Sequence, residues 1–441
     1  MTPVERFCSH REQNRSLKVF PLVRKINTLS FSRATRSTSR EINRRIALNL
    51  VREHEPISRA ELARRMKIGR GVVTALVGEL IAEGAVYEGA TVDAPRGRKP
   101  TMLYVRTRDR LVIAIDVRLS RTYLMLTDFA GTELALESFE TRFAPGDLVE
   151  ELASRVRRLL GGGNERGTRN EEGARSATRS RSQVVGIGLV VPGMVDRQTG
   201  RVLHAPQLGW RDVDVRDALS AATGLPVHIE NAPIACALAT MWLGGAVAGT
   251  DFAYVTVSDG VGVGIVVDGQ VVRGHHNAAG EFGHVPLDVN GPRCLCGSRG
   301  CWEVYTSNVA TIARYLGRTL APASTRELLQ SMPLTMPELI ARARAGEDRA
   351  IAALLETGRY LGSGLATVIA ALNPARIFVG GEITEGWDLI EGVVRAALRE
   401  RALTDAASQT PIIPEGVNER PRLRGAAALV AAPSFAAPQV A

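Results

Sequence analysis

Residues 284–303 have the sequence HVPLDVNGPRCLCGSRGCWE, which brings one imidazole, His284, close to three thiols, Cys294, Cys296 and Cys301. These four nitrogen and sulfur donors match the tetrahedral set that zinc prefers, so we predict a Cys3His zinc site. Because protein side chains fill all four positions, we expect the metal to be structural. Two other interpretations are ordinary buried thiols and, less favoured for a cytosolic thiol cluster, disulfides.

The same stretch carries a family resemblance. The residues EFGH at 281–284, followed by CLCGSRGCWE at 294–303, resemble the signature of the ROK family, which contains sugar kinases and sugar-responsive repressors. Further segments agree with the family in the expected order: IGLVVPGMVD at 187–196, APQLGW at 205–210, EN at 230–231 and LNPARIFVGG at 372–381. The resemblance covers residues 108–432 and implies an actin-like, ribonuclease-H-like fold with two lobes around a cleft.

Composition sets limits on the kind of protein. The chain has 441 residues, of which 45% are hydrophobic, and this length suggests about two to four structural units. No segment approaches the roughly 20 consecutive apolar residues of a membrane span, so we expect no membrane partner and a cytoplasmic location. A formal net charge of +9 is compatible with a polyanionic partner.

Three segments have the composition of unfolded chain. Residues 1–40 contain nine Lys or Arg against two Glu, and we predict a disordered basic arm, unless translation begins downstream; a transit peptide is the lesser alternative. Residues 161–183 are rich in Gly, Ser, Arg, Glu and Asn and predict a disordered insertion. Residues 433–441 predict a flexible tail.

Residues 41–107 have the pattern of a winged helix-turn-helix domain. A first helix from Glu41 ends before Pro56, and SRAE at 58–61 is a capping box for a second helix, 60–66. After a short turn, residues 71–84 predict a third helix from apolar positions at helical spacing, namely Val72, Val73, Leu76, Leu80 and Ile81. In this arrangement the third helix enters the major groove of DNA.

Two strands, 85–89 and 100–105, then flank a basic Gly/Pro loop, which predicts a wing. The residues expected to contact a double-stranded DNA operator are Arg59, Arg70, Thr74, Arg96, Arg98 and Lys99. Any small helical hairpin followed by a basic loop would look similar, but the order of these elements before a ROK-like body favours DNA binding. Because operator halves mirror a twofold protein, we expect a homodimer or a dimer of dimers.

From residue 108 to 432, short apolar strands alternate with amphipathic helices, which predicts an α/β class with two sheets. The resemblance implies that a sugar kinase of this family has an Asp base after an Asn, but here Ala232 follows Asn231. The family's first phosphate turn, Asp-x-Gly-Gly-Thr, is represented by DVRLS at 116–120, and only the glycine turn SDGVGVG at 258–264 persists. We therefore expect no catalysis.

The resemblance further implies that Asn231, Glu281, His284 and Glu303 hydrogen-bond sugar hydroxyls, with His284 also a metal ligand. For the two glutamates, a solvated surface or a salt bridge is the alternative. Gln207 and Ala232 depart from the family pattern and leave the ligand's identity open. The sequence thus predicts a repressor that responds to a sugar or sugar derivative. The alternatives are a residual or bifunctional sugar kinase, and a ligand-independent DNA-binding protein that uses the body for oligomerisation.

Overall fold

The structure is a computed structural model that describes residues 36–91, 100–160, 183–244, 250–331 and 333–436. Its N-terminal unit consists of α1 (Arg36–His54), β1 (Ile57–Ser58), α2 (Arg59–Met66), α3 (Arg70–Ala82), β2 (Val86–Thr91) and β3 (Thr101–Val105). Helix α1 begins at Arg36 and not at Glu41, so the end of the predicted arm is helical. Residues 1–35 of that arm lie outside the described residues.

Local capping explains why α2 and α3 meet in a tight turn. The Ser58 hydroxyl accepts a hydrogen bond from the Glu61 amide at 3.2 Å and so caps α2, which is one half of the predicted capping box. The Glu61 carboxylate forms ion pairs with Arg64 and Arg65. Lys67 ends α2 in the left-handed conformation, with φ of 54°. The sheet order is β1-β3-β2, and β2 pairs antiparallel with β3 as the predicted wing requires.

The apolar positions that predict α3 do not all lie on its buried face. Val73, Leu76, Val77 and Leu80 are buried, whereas Val72 is 51% exposed. Successive helical residues are rotated by about 100°, so Val72 and Val73 cannot both face the centre of one core.

The body begins after β3 and contains thirteen further strands in the described residues. They are β4 (Leu111–Val117), β5 (Arg121–Asp128), β6 (Glu133–Glu140), β7 (Val184–Val191), β8 (Met194–Asp196), β9 (Arg201–Ala205), β10 (Trp210–Val213), β11 (Val227–Asn231), β12 (Phe252–Val257), β13 (Val261–Val267), β14 (Gln270–Val272), β15 (Arg376–Gly380) and β16 (Ile412–Pro414). Strands β8, β9 and β10 form a small antiparallel sheet.

Two five-stranded sheets with the same connectivity form the two lobes. The strand order is β11-β7-β4-β5-β6 in the first lobe and β14-β13-β12-β15-β16 in the second. In each sheet, the first three strands along the chain pair antiparallel, and the last two add in parallel beside the first. This repeated topology confirms the predicted α/β class and the two-lobed, actin-like architecture.

The helices of the body cover the two sheets. They are α4 (Pro145–Leu160), α5 (Arg216–Thr223), α6 (Ala232–Leu243), α7 (Glu303–Thr306), α8 (Asn308–Leu316), α9 (Pro322–Gln330), α10 (Met336–Arg344), α11 (Asp348–Leu372), α12 (Trp387–Arg401), α13 (Asp405–Ser408) and α14 (Pro421–Ala431). Within the described ranges, none of the chain's helices has both the length and the apolar character that crossing a bilayer requires.

Helix α6 lies between the lobes. Ala235 belongs to the apolar cluster that includes strands of the first sheet, and Ala237 packs with aromatic side chains of the second. The approach to β13 is close, since a Cβ at Gly264 would lie 2.2 Å from the carbonyl oxygen of Pro233. The residue before this helix, Asn231, is thereby fixed at the interlobe cleft.

Residues after α14 join the body to α1. Nδ2 of Asn49 donates to the carbonyl oxygen of Phe435 at 2.8 Å, and the Arg52 guanidinium lies 4.9 Å from the ring centre of Trp242 and 4.8 Å from that of Phe435. Phe435 is 5% exposed and therefore packed, so the prediction of a flexible tail over residues 433–441 placed the start of that tail too early. Residues 437–441 lie outside the described residues, as do residues 161–182 of the predicted insertion.

Candidate functional site

The predicted metal ligands converge on one point. The donor atoms of His284, Cys294, Cys296 and Cys301 all lie within 4.8 Å of one another. Sγ of Cys296 is 3.7 Å from Sγ of Cys301, and Sγ of Cys294 is 3.8 Å from Nδ1 of His284. Four ligands at zinc–sulfur and zinc–nitrogen bond lengths in a tetrahedron are separated by about 3.5–3.8 Å. The cluster therefore fits a tetrahedral metal ion that is bound through Nδ1 of His284.

Glycines allow the cysteine loop to fold back on itself. Gly297 and Gly300 have φ of 97° and 62°, a region that favours glycine. At Gly300 a Cβ would lie 1.5 Å from the carbonyl oxygen of Asp288, so only glycine fits there. Burial raises the pKa of the Cys294 and Cys301 thiols. A bound cation would therefore supply the charge that holds these groups as thiolates.

A cleft between the lobes contains the residues predicted to bind an effector. Asn231, Glu281, His284 and Glu303 all line one pocket, of about 100 Å³. Asn231 is the last residue of β11, Glu281 precedes the 3-10 turn Phe282–His284, and Glu303 begins α7. Residues that are separated in sequence thus meet in one pocket.

The protein already uses part of the hydrogen-bonding capacity of these side chains. Oδ1 of Asn231 accepts the Ile234 amide at 3.1 Å as the N-cap of α6, which leaves its NH2 group for a ligand. Oε2 of Glu303 accepts an amide of β13 at 3.1 Å, and Oε2 of Glu281 lies 3.8 Å from Nε2 of His284. Burial raises the pKa of both glutamates. The pocket offers carboxyl and amide groups, which suit sugar hydroxyls.

An ion-pair network closes the other side of the cleft. Nε of Arg118 lies 2.7 Å from Oδ2 of Asp116 in the first lobe, and its Nη1 lies 2.9 Å from Oε1 of Glu382 in the second. Arg422 pairs with the other oxygen of Asp116 at 2.7 Å. The space beside these groups and the Gly380–Gly381 turn is about 20 Å³, which is room for little more than a water molecule.

Sequence reasoning missed one pocket carboxylate, Asp259. It lies in the glycine turn between β12 and β13 and lines the same pocket as Glu281 and Glu303. Burial raises the pKa of Asp259 to about 6, and the nearby carboxylate of Glu382 acts in the same direction. The available signal was the acidic residue inside the SDGVGVG motif, which we had interpreted from its glycines alone. When ionised, this carboxylate would repel a nucleotide phosphate at the turn.

The predicted DNA-contacting residues of the helices lie on the N-terminal unit. Arg70 is exposed at the start of α3, and Thr74 is exposed, with its hydroxyl donating to the carbonyl oxygen of Arg70 at 2.9 Å. Arg59 forms an ion pair with Glu88 on β2, so a DNA contact by this guanidinium would compete with that pair. The wing residues Arg96, Arg98 and Lys99 lie outside the described residues.

The exposed face of α3 also carries several residues with small side chains. Gly71, Ala75 and Gly78 are exposed along it, and Val72 stands at its flank. Small side chains let a helix backbone approach a groove closely, and an exposed valine is suited to contact a thymine methyl group. In the sequence, Val72 was considered only as one of the apolar positions that predict α3, so this candidate was missed.

Known proteins resemble the chain in sequence and fold. Residues 174–432 match the family model of the ROK family. The chain is 26% identical over 396 residues to a xylose repressor of Bacillus subtilis, covering 89% of this chain and 95% of that protein. It is 29% identical over 295 residues to a glucokinase of Streptomyces coelicolor, and this match covers 66% of this chain and 87% of the glucokinase. The fold is similar to the crystal structure of a ROK family transcriptional regulator, a homolog of the E. coli MLC protein. The TM-score is 0.72 at 24% sequence identity, and the match covers 90% of this chain and 97% of the regulator.

The structure thus combines a helix-turn-helix unit with a two-lobed body that has a pocket between its lobes. The chain belongs to the ROK family, whose model covers more than half of it. The repressor match includes most of the chain, whereas the glucokinase match extends over 66% of it.

Proposed function

We propose that the protein is a transcriptional repressor that binds a double-stranded operator through its winged helix and responds to a sugar or sugar derivative in the cytoplasm. The observation that carries the proposal is the convergence of Asn231, Glu281, His284 and Glu303 on one pocket of a chain that also has a helix-turn-helix. Effector binding changes the affinity for DNA because it favours one arrangement of the two lobes over another.

The metal in this proposal is zinc, and its role is structural. Zinc would bind His284, Cys294, Cys296 and Cys301, all of which are ligands that it prefers. Binding through Nδ1 fixes the ring of His284 so that Nε2 is directed toward Glu281 and the pocket. The zinc loop thus orients part of the effector site without taking part in a reaction.

We further propose that the body does not phosphorylate sugars. Ala232 lines the pocket where a kinase of this family would carry its base, and a methyl group cannot accept a proton. The Arg118–Glu382 ion pair leaves only about 20 Å³ beside the Gly380–Gly381 turn, and an ionised Asp259 would repel nucleotide phosphates at the glycine turn between β12 and β13. Losing the base alone accounts for roughly a 10²- to 10⁴-fold decrease in rate.

In the test of this function, the purified protein is titrated calorimetrically with a panel of sugars and sugar phosphates, and operator affinity is then measured with and without the ligand that binds. We expect binding without ATP, a changed operator affinity and no ATP consumption. Phosphorylation at an enzyme-like rate that is lost in Glu281→Ala would support the sugar-kinase alternative. Specific operator binding that no sugar alters would support the ligand-independent alternative.

The proposal includes a homodimer or a dimer of dimers on a palindromic operator. Two winged helices related by a twofold axis would present α3 to successive major grooves, about 34–36 Å apart. Sedimentation of the protein with a palindromic operator should give two or four chains per duplex. One chain per duplex would contradict this part of the proposal.

A further inference from the structure

A second cavity lies between the N-terminal unit and the body, apart from the interlobe pocket. It has a volume of about 190 Å³, enough for several water molecules at about 30 Å³ each. Its wall combines α1, the end of α3, the segment that links β3 to β4, and the residues after α14. Any ligand here would touch both the DNA-binding unit and the effector-binding body.

The wall of this cavity is strongly basic. Four arginines line it, Arg44, Arg45, Arg106 and Arg110, against one acidic residue, Glu83. Two of these charges are already balanced within the N-terminal unit. Arg44 forms ion pairs with Glu83 and with Glu41, which also pairs with Arg45 at 2.8 Å.

The other two arginines, on the linking segment, are less well balanced. Arg106 lies 3.5 Å from the exposed carboxylate of Asp109, and its guanidinium is 6.0 Å from the ring centre of Tyr87. Arg110 has no carboxylate partner among the residues that the structure describes, and its guanidinium lies 4.3 Å from the ring centre of Phe129. Burial lowers the pKa of Arg110, as expected for a cation that has lost water without gaining a counter-charge.

We propose that this interdomain cavity binds a small phosphate-bearing anion, held by Arg106 and Arg110 with support from Arg44 and Arg45. Guanidinium groups present paired N–H donors that match phosphate oxygens, and a partly buried arginine without a carboxylate gains most from such a partner. The ligand class is a phosphate or a phosphorylated metabolite. This site is independent of the sugar pocket, so the proposal stands apart from the identity of the effector.

The phosphates of DNA are a different partner that the position of the cavity disfavours. The cavity touches Leu80 and Glu83, at the C-terminal end of α3. In a helix-turn-helix domain the N-terminal residues of this helix contact the bases, and α3 is about 20 Å long. The arginines of the cavity are thus at the far end of the helix from the expected DNA surface.

The test is a calorimetric titration of the full chain with inorganic phosphate, with chloride at matched ionic strength as the reference. We expect saturable binding of one phosphate per chain. Arg110→Gln and Arg106→Gln should each weaken it about 10-fold or more, because each removes a charged hydrogen-bond donor. Arg399→Gln, which changes an exposed arginine of α12, is the matched control and should leave binding unchanged.

Arg106 is exposed, so Arg106→Gln tests the site without disturbing the ring contact that Arg110 makes. The proposal would be overturned if phosphate binding were not saturable. It would also be overturned if Arg106→Gln and Arg110→Gln, the two linker variants, bound phosphate as tightly as the wild type. Competition between phosphate and a short non-operator duplex, lost in the linker variants, would assign these arginines to DNA and would also overturn it. Glu281→Ala, which changes the sugar pocket, should bind phosphate as the wild type does. Phosphate binding and sugar binding can therefore be tested independently of each other.

Discussion

Replacing Cys296 with serine should remove the metal while leaving the body folded. Cys296 is exposed and provides one of four donors. Structural zinc sites in peptides release roughly 10–16 kcal/mol, so an equal share for one thiolate is about 2.5–4 kcal/mol. This share corresponds to roughly a 70- to 900-fold loss of zinc affinity. Dialysis against a moderate chelator should therefore strip the variant but not the wild type.

The fold should survive because the loop is anchored in the core independently of the metal. Trp302 is 1% exposed, and its Nε1 donates to the carbonyl oxygen of Tyr360 at 3.0 Å. Far-UV circular dichroism should thus be unchanged in Cys296→Ser. The orientation of His284 and Glu281 should be lost, and with it the response to sugar.

The measurement is zinc content by atomic absorption after dialysis. We expect about one zinc per chain in the wild type, since four ligands of this kind close one tetrahedral site, and close to none in Cys296→Ser. Cys236→Ala is the control, because Cys236 is a buried thiol of α6 that is not one of the four donors. Full zinc content in dialysed Cys296→Ser would refute the ligand assignment, and zinc loss in Cys236→Ala would show that the effect is not local.

Four further predictions concern DNA, effector and pH. Changing the three basic wing residues to glutamine should weaken binding to all duplexes and lower the magnitude of the salt slope by about 3, whereas an unchanged slope would show that the wing does not reach DNA. Val72→Ala should weaken operator binding roughly 5- to 10-fold while leaving non-specific binding as it is, and equal losses on both duplexes would contradict a base contact. Glu281→Ala should abolish the effect of sugar on operator affinity, measured by fluorescence anisotropy, without changing operator affinity itself; weaker operator binding in the absence of sugar would indicate a structural role instead. Burial raises the pKa of Asp259 from 3.8 to about 6 in the folded protein, so the wild type should lose stability as the pH rises from about 4 to 6. Asp259→Asn should remove this part of the pH dependence and raise the melting temperature at pH 8. If the melting temperatures of both proteins changed in parallel with pH, Asp259 would not titrate in this way.

Much of the site could be predicted from sequence because its decisive features are local. The four metal donors lie within residues 284–303, and the glycines that turn the loop are between them. The cap of α2 depends on residues three positions apart, and the fully buried strands β4 and β12 are continuous apolar runs. Such patterns reflect backbone geometry and burial over a few residues, which the sequence states directly.

The shorter or more polar strands were not predicted. Strands β6, β8, β9, β10, β14 and β16 are short or have mixed polar and apolar residues. Hydrophobic periodicity is weak in strands of this kind, and their pairing comes from neighbours elsewhere in the chain. Val72 was among the apolar positions that predict α3 although it is exposed, because that helix has apolar residues on more than one side.

Only the tertiary structure decided which distant side chains meet. Arg118 and Glu382 are 264 residues apart yet close the cleft between the lobes at 2.9 Å. Asn49 and Phe435 are 386 residues apart, and their hydrogen bond helps to form the junction beside the basic cavity. No local pattern encodes such contacts, because they arise when two sheets and the C-terminal residues pack together. The sequence by itself thus determined the family, the four candidate metal donors and the helix-turn-helix pattern, whereas packing decided the Arg118–Glu382 contact between the lobes, the position of Asp259 in the pocket and the grouping of the interdomain arginines.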